Sequence, residues 1–204
     1  VTLYTDGTLG FDSTEAKISG KTVSKSFGDA KDGTIPWSND ASSVTSVNFV
    51  NTITPKTTAA WFYNCTNLKQ VYNISNLDTS NVDNMQWMFW ECKSLTSLNL
   101  SSFNTSKVTA MRGMFDNCKS LTSLNLSNFD TTHVNNMTNM FARCSSLTSL
   151  DLRSFDTTYV GYMNNMFYGC TKLTSIKVTY GKWSTTLADT DNMFGDCGTY
   201  SVTY

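Results

Sequence analysis

Val108-Thr109-Ala110-Met111-Arg112-Gly113-Met114-Phe115-Asp116-Asn117-Cys118-Lys119-Ser120-Leu121-Thr122-Ser123-Leu124-Asn125-Leu126-Ser127-Asn128-Phe129-Asp130-Thr131 is one copy of a text that recurs along the chain. The cysteines set its phase: Cys65, Cys92, Cys118, Cys144, Cys170 and Cys197 are separated by 27, 26, 26, 26 and 27 residues. Phe89, Phe115, Phe141, Phe167 and Phe194 stand three before a cysteine, and Leu68, Leu95, Leu121, Leu147 and Leu173 three after. A unit this short cannot bury its apolar face alone, so each must stack on its neighbours.

Within a unit the apolar period changes once. Val134, Met137, Met140, Phe141 and Cys144 follow the spacing of one helical face, and the same sector is filled by Val82, Met85, Met88 and Phe89 in an earlier unit. Leu147, Leu150 and Leu152 then alternate like a short strand. Asp156-Thr157-Thr158 supplies oxygens suited to turning the chain and capping the next helix. Its equivalents Asp78, Asn104 and Asp130 read as turn residues rather than calcium ligands, because alternating Asp with Asn leaves too few charges per site. Strands stack about 4.8 Å apart and helices need more room, so the stack is expected to curve with its sheet inside. The expected fold is therefore α/β, a leucine-rich-repeat solenoid of about 26-residue strand-turn-helix coils with a parallel sheet on the concave side. The coils span residues 43–176; residues 1–42 form an N-terminal cap with a β-hairpin at Asp6-Gly7, and residues 177–204 a C-terminal cap.

Composition removes several function classes. The formal net charge is -1 with only 15 Lys and Arg, which argues against a nucleic-acid footprint. No apolar run approaches the ~18 residues of a membrane span, so no membrane insertion is expected of this segment, which reads as a mature or excised piece. One cysteine per unit leaves no partner within the unit, and helices roughly 8–10 Å apart would keep neighbouring cysteines beyond bridging distance. The expectation is a column of buried free thiols. No C-x-x-C pair occurs and His133 is the only histidine, so no metal, cofactor or catalytic constellation is expected, and the chain reads as a non-enzymatic monomer.

Two surfaces remain as candidates. On the strand side Thr96, Thr122, Thr148 and Thr174 form a ladder of hydroxyls that either solubilises the sheet or offers a flat platform for glycan, protein or ice. On the helix side Trp87 and Trp90 fall outside the core sector and are expected to be exposed, near the equivalents Tyr63 and Tyr168 of other coils. Such an aromatic patch suits a contact hot spot, with packing against a cap as the alternative.

The frame V-x-x-M-x-x-M-F-x-x-C-x-x-L-x-x-L-x-L-x-x-F-[DN]-T, carried by residues 108–131 and recurring over residues 43–197, resembles the repeat of the BspA-like leucine-rich-repeat surface proteins of bacteria. The resemblance implies an extracellular protein, cell-surface or secreted, that adheres to host or neighbouring-cell macromolecules through a protein or glycan ligand. It implies no catalytic residues. An architectural spacer presenting another domain is the alternative role.

Overall fold

The structure is a computed structural model that describes residues 1–11, 23–26 and 35–204; the remainder of the expected N-terminal cap, residues 12–22 and 27–34, lies outside the described residues. Parallel pairing links each unit to the next along the series Thr57, Asn84, Ala110, Asn136, Tyr162 and Asp189, so the repeat is a stack of coils in register.

No α-helix occurs among the described residues, which corrects the strand-turn-helix reading. The supposed helix is a run of overlapping turns hydrogen-bonded to the next coil. Backbone N–H groups of Met85, Trp87, Phe89 and Glu91 donate to the carbonyls of Ala110, Arg112, Met114 and Asp116 at 3.0, 2.8, 2.9 and 2.9 Å. The alternate residues Met88, Trp90 and Cys92 donate back within their own coil to Met85, Trp87 and Phe89 at 3.3, 3.1 and 3.2 Å. The turns closing at Met88 and Cys92 hold their third residue at positive φ, 56° at Trp87 and 63° at Glu91. That is the signature of a type II turn, which ordinarily needs Gly or Asn there. Each left-handed residue reverses the local winding, so the chain advances flat instead of coiling. Met85, Met88, Phe89 and Cys92 still face inward and are fully buried, which is why the spacing imitates a helix.

The strand side is also less regular than expected. Strands β1 (Thr2–Tyr4), β2 (Thr8–Phe11), β3 (Val23–Ser26), β4 (Ser46–Phe49) and β5 (Gln70–Tyr72) form one sheet in the order β3-β1-β2-β4-β5, while β6 (Ser149–Asp151) and β7 (Ser175–Lys177) form another. Residues 96–99 and 122–125 keep the same in-out phase without forming strands. On the turn side successive coils are tied by backbone hydrogen bonds instead of packed helices, so the helix spacing expected to curve the stack around a concave sheet is absent among the described residues.

The core is a set of columns. Phe89, Phe115, Phe141 and Phe167 stack with centroids 5.8–5.9 Å apart and planes within 8° of parallel. Thr79, Thr105 and Thr131 form a buried polar column: each hydroxyl donates to a carbonyl of the next coil (Asn104, Asp130, Asp156) and accepts from that residue's N–H, all at 2.8–2.9 Å. At the N-terminal end β1 and β2 pair antiparallel about the Asp6-Gly7 turn, and β2 runs parallel to β4. Phe11 closes the column there, 5.1 Å from Trp37, 4.8 Å from Phe49 and 5.2 Å from Trp61 between ring centroids.

All six cysteines are free and buried, as expected, although with no α-helix among the described residues the spacing of packed helices is not the reason. Cys92, Cys118, Cys144 and Cys170 each direct Sγ to the carbonyl of Phe62, Phe89, Phe115 and Phe141 in the preceding coil, at 3.3, 3.1, 3.1 and 2.9 Å. Burial pushes the Cys65 and Cys170 thiols up to about 12. The native protein should therefore show no rapidly reacting thiol with a disulfide reagent at neutral pH, and all six after denaturation. Fast labelling of the native fold would contradict the buried column.

The turn geometry makes a second prediction. Gly113, at φ 60°, would place a new Cβ 2.7 Å from Trp87 Cδ1, so Gly113→Ala should lose about 1–3 kcal/mol. Ala60 sits at φ 56°, where Ala60→Gly relieves the left-handed strain and should leave stability unchanged or raise it by up to about 1 kcal/mol. Chemical denaturation reads both; destabilisation by Ala60→Gly as large as that of Gly113→Ala would refute the turn assignment.

Candidate binding cleft

The turn run presents an outward column of left-handed positions. In the first series they are Ala60, Trp87, Gly113, Asn139, Asn165 and Asn192, and in the second Asn64, Glu91, Asn117, Arg143, Gly169 and Asp196. Asn, Gly and Asp occupy most of them, as side chains that tolerate φ > 0 should. The exceptions are Ala60, Trp87, Glu91 and Arg143. Trp87, Glu91 and Arg143 are bulky, cost more in this conformation, and all lie at one place on the surface.

That place is a cleft of about 580 Å³ lined by Ala60, Tyr63, Trp87, Trp90, Arg112, Asp116, Asn139 and Arg143. Trp90 stacks on Tyr63 of the preceding coil with centroids 4.3 Å apart and planes 10° from parallel. Its indole N–H donates to Asp116 Oδ2 of the following coil at 3.2 Å, and Arg143 Nη2 donates to the same oxygen at 2.6 Å. The Trp87 indole lies across Gly113, whose missing side chain leaves room for it, with the Arg112 guanidinium 5.5 Å from the ring centroid. Beside the cleft Glu91 accepts from Asn117 and pairs with Lys93 at 2.5 Å; burial raises its carboxyl, but these partners and Arg143 outweigh that and hold it below its usual value.

Asp116 is the unusual group. It is 2% exposed, and while Oδ2 has two donors, Oδ1 is buried with no partner. Asn139 Oδ1, also on the cleft, is likewise without a donor. Buried acceptors without partners are uncommon and costly, about 1–3 kcal/mol each. Burial raises the Asp116 carboxyl to about 6, against the opposing attraction of Arg143 and hydrogen bond from Trp90.

The sequence-derived candidates divide accordingly. Tyr63, Trp87 and Trp90 meet in the cleft; Trp87 and Trp90 are half-buried rather than exposed, because the first covers Gly113 and the second is clamped between Tyr63 and Asp116. Tyr168 does not line it: in the Trp90 column it comes after Asp116 and Ala142, three coils beyond Trp90. Thr96, Thr122, Thr148 and Thr174 are exposed on the other side, and the hydroxyls of Thr122 and Thr174 donate at 3.4 and 3.1 Å to carbonyls of the coil before, Thr96 and Thr148. Asp78, Asn104, Asp130 and Asp156 each accept from the N–H two residues on, at 3.0 Å, and so act as turn residues. His133 is exposed, with Thr132 Oγ1 3.3 Å from its Nδ1. Sequence reading missed Asp116, Arg112, Arg143 and Asn139; only Arg143 carried a signal, a long charged side chain in a column that other coils give to Asn64, Asn117 and Gly169.

A family profile described as "Mycoplasma protein of unknown function, DUF285" matches residues 37–124 and again 98–203. The chain belongs to the DUF285 family. No curated protein matches it. Among solved structures this DUF285 chain is similar to a leucine rich cell surface protein from Faecalibacterium prausnitzii A2-165, with 20% identity and a TM-score of 0.43 over 84% of this chain and 47% of that one. It is also similar to a leucine-rich repeat protein from Bacteroides ovatus ATCC 8483, with 16% identity and a TM-score of 0.39 over 94% of this chain and 61% of that one. The DUF285 chain thus spans about half and about three fifths of those chains. No helix among its described residues is long and apolar enough to cross a membrane.

The raised Asp116 carboxyl sets a pH dependence. Unfolded, it titrates near 3.9; folded, it keeps its proton to about 6. Between those values the folded state binds more protons, so this group's contribution to stability is greatest below about pH 4, falls as pH rises, and is fully lost above about pH 6. Asp116→Asn has no such proton. The difference in melting temperature between wild type and Asp116→Asn should therefore shift against the wild type as pH is raised from 4 to about 6.5. A difference that stays flat, or moves the other way, would show that Asp116 is not held in this buried state.

Proposed function

We propose that this chain is a leucine-rich-repeat solenoid of the BspA-like kind, acting outside the cell as a non-enzymatic binding or adhesion module of a bacterial surface protein. The resemblance of the repeat to BspA-like surface proteins supports the location. The observation that carries the binding role is the cleft: bulky residues are held in left-handed backbone only beside it, and it contains acceptors with no partner. Strain and unsatisfied polarity of this kind persist where function requires them, and here they surround an aromatic surface suited to contact.

Binding of the purified protein to host epithelial cells, measured by flow cytometry, tests the role. Trp90→Ala should weaken binding about tenfold, the loss expected of a hot-spot aromatic, while Thr122→Ala and Thr148→Ala should leave it unchanged. Loss of binding in the threonine variants alone would move the functional face to the strand side. No binding by the wild type to any cell or matrix surface would favour the spacer role.

A further inference from the structure

We propose that Arg143 is a proton-controlled latch on the cleft: an ionised Asp116 holds it, a protonated Asp116 yields it to Glu91, and binding weakens as the latch opens. The proposal rests on the reading of the cleft as the binding surface. Two carboxylates from consecutive coils share the field of this one guanidinium. Asp116 Oδ2 accepts from Arg143 Nη2 at 2.6 Å, while Glu91, whose backbone N–H donates to the Asp116 carbonyl at 2.9 Å, is stabilised as an anion by the charge of Arg143. The two are tuned in opposite directions. Burial raises the Asp116 carboxyl to about 6 against Arg143 and Trp90, and the Glu91 charge adds to the rise. Burial raises Glu91 too, but hydrogen bonds from Lys93 and Asn117 and the charge of Arg143 outweigh it and hold that carboxyl below its usual value. Between about pH 5 and 6 Glu91 is therefore ionised while Asp116 holds a proton. The other charges nearby, Lys93 beside Glu91 and Arg112 against Trp87, stay positive through this window. The core thiols of Cys118 and Cys144 also feel the Asp116 charge, but burial raises both far above it.

The unpartnered oxygen makes the exchange possible. A proton settles on Oδ1 without displacing either hydrogen bond at Oδ2, so the carboxyl loses its charge while keeping its place. The ion pair then loses its Coulomb attraction, and a neutral oxygen is a weaker acceptor for two donors at once. Arg143 has room to turn, because its side chain is partly exposed, and Glu91 beside it still carries a full charge. Trp90 has less freedom, since it stays stacked on Tyr63. The open latch thus leaves the aromatic wall standing and removes the guanidinium fixed on its far side. A ligand fitted to the closed arrangement loses apparent affinity in proportion to the fraction of molecules in which Asp116 is ionised. The binding form is the one that folding disfavours, because the folded state is the better proton acceptor.

Proton–nitrogen correlation NMR of the Trp90 indole and Arg143 Nε–H groups reads the latch, and binding to host epithelial cells by flow cytometry reads its effect. In the wild type both resonances should titrate together with a midpoint of about 6. In Asp116→Asn, which is uncharged throughout, neither should follow that transition. The affinity ratio of wild type to Asp116→Asn cancels general effects of acid on the cells. It should be about tenfold at about pH 7.5 and fall to about one at about pH 5, the variant matching the protonated wild type. Glu91→Gln removes a negative neighbour of Asp116, so the transition should move to lower pH. Melting curves at each pH verify the fold of every variant. Resonances that do not titrate, or an affinity ratio constant across pH, would overturn the latch. If Trp90→Ala still lowers binding while that ratio is flat, the cleft remains the binding site and only its control by protons falls. If Trp90→Ala leaves binding unchanged, the functional reading falls and the latch falls with it.

Discussion

Everything in this fold hangs on the backbone hydrogen bonds that tie each run of turns to the same run one repeat later. Alternate N–H groups from Met85 to Glu91 leave their own coil for the next, and the intervening ones close turns at home. With the backbone satisfied in both directions, the outward side chains are released from any structural duty beyond tolerating their φ. The inward ones are held in strict phase, which stacks phenylalanine on phenylalanine and directs each thiol to a carbonyl. Buried threonines do the same on the polar side, answering the carbonyl and N–H of one residue with a single hydroxyl. Stability in such an array is a matter of neighbours, so the regularity of the repeat is itself the source of the fold.

The core was legible from the text because burial dictates residue type at fixed intervals. Val, Met, Phe, Cys and Leu of each unit all face in, as their spacing implied. The helix was misread for a physical reason: overlapping turns with two left-handed residues return side chains to one face at intervals of three and four, as a helix does. The contrary signal was present in Gly113, Asn117, Asn139, Asn165 and Gly169, which recur at the third position of a turn, where a helix has no use for them. The interruption of the sheet at residues 96–99 and 122–125 carried no comparable signal, since their hydroxyl and leucine pattern matches that of β6 and β7.

The cleft was half legible. Trp87 and Trp90 stood out by size, and Tyr63 by sharing a column with Trp90. Asp116 shares the column of Trp90, which the helical spacing turns outward; in the turn run it is covered by Trp90 and Arg143. Tyr168 shares the column but not the place, because position along the stack matters as much as position around it. The site departs from the repeat at Trp87 and Arg143, which stand in columns given mainly to Asn and Gly, and it draws Tyr63, Trp90 and Asp116 from a more variable column.

The chain of contacts from Tyr63 through Trp90 and Asp116 to Arg143 takes one residue from each of four consecutive coils. Tandem units invite duplication and deletion by slippage during replication, and most such events would merely lengthen or shorten the stack. A coil gained or lost between Tyr63 and Arg143 would separate these residues for good. The number and order of units in this stretch are therefore heritable information in their own right, fixed by geometry while the remainder of the array is free to vary in length.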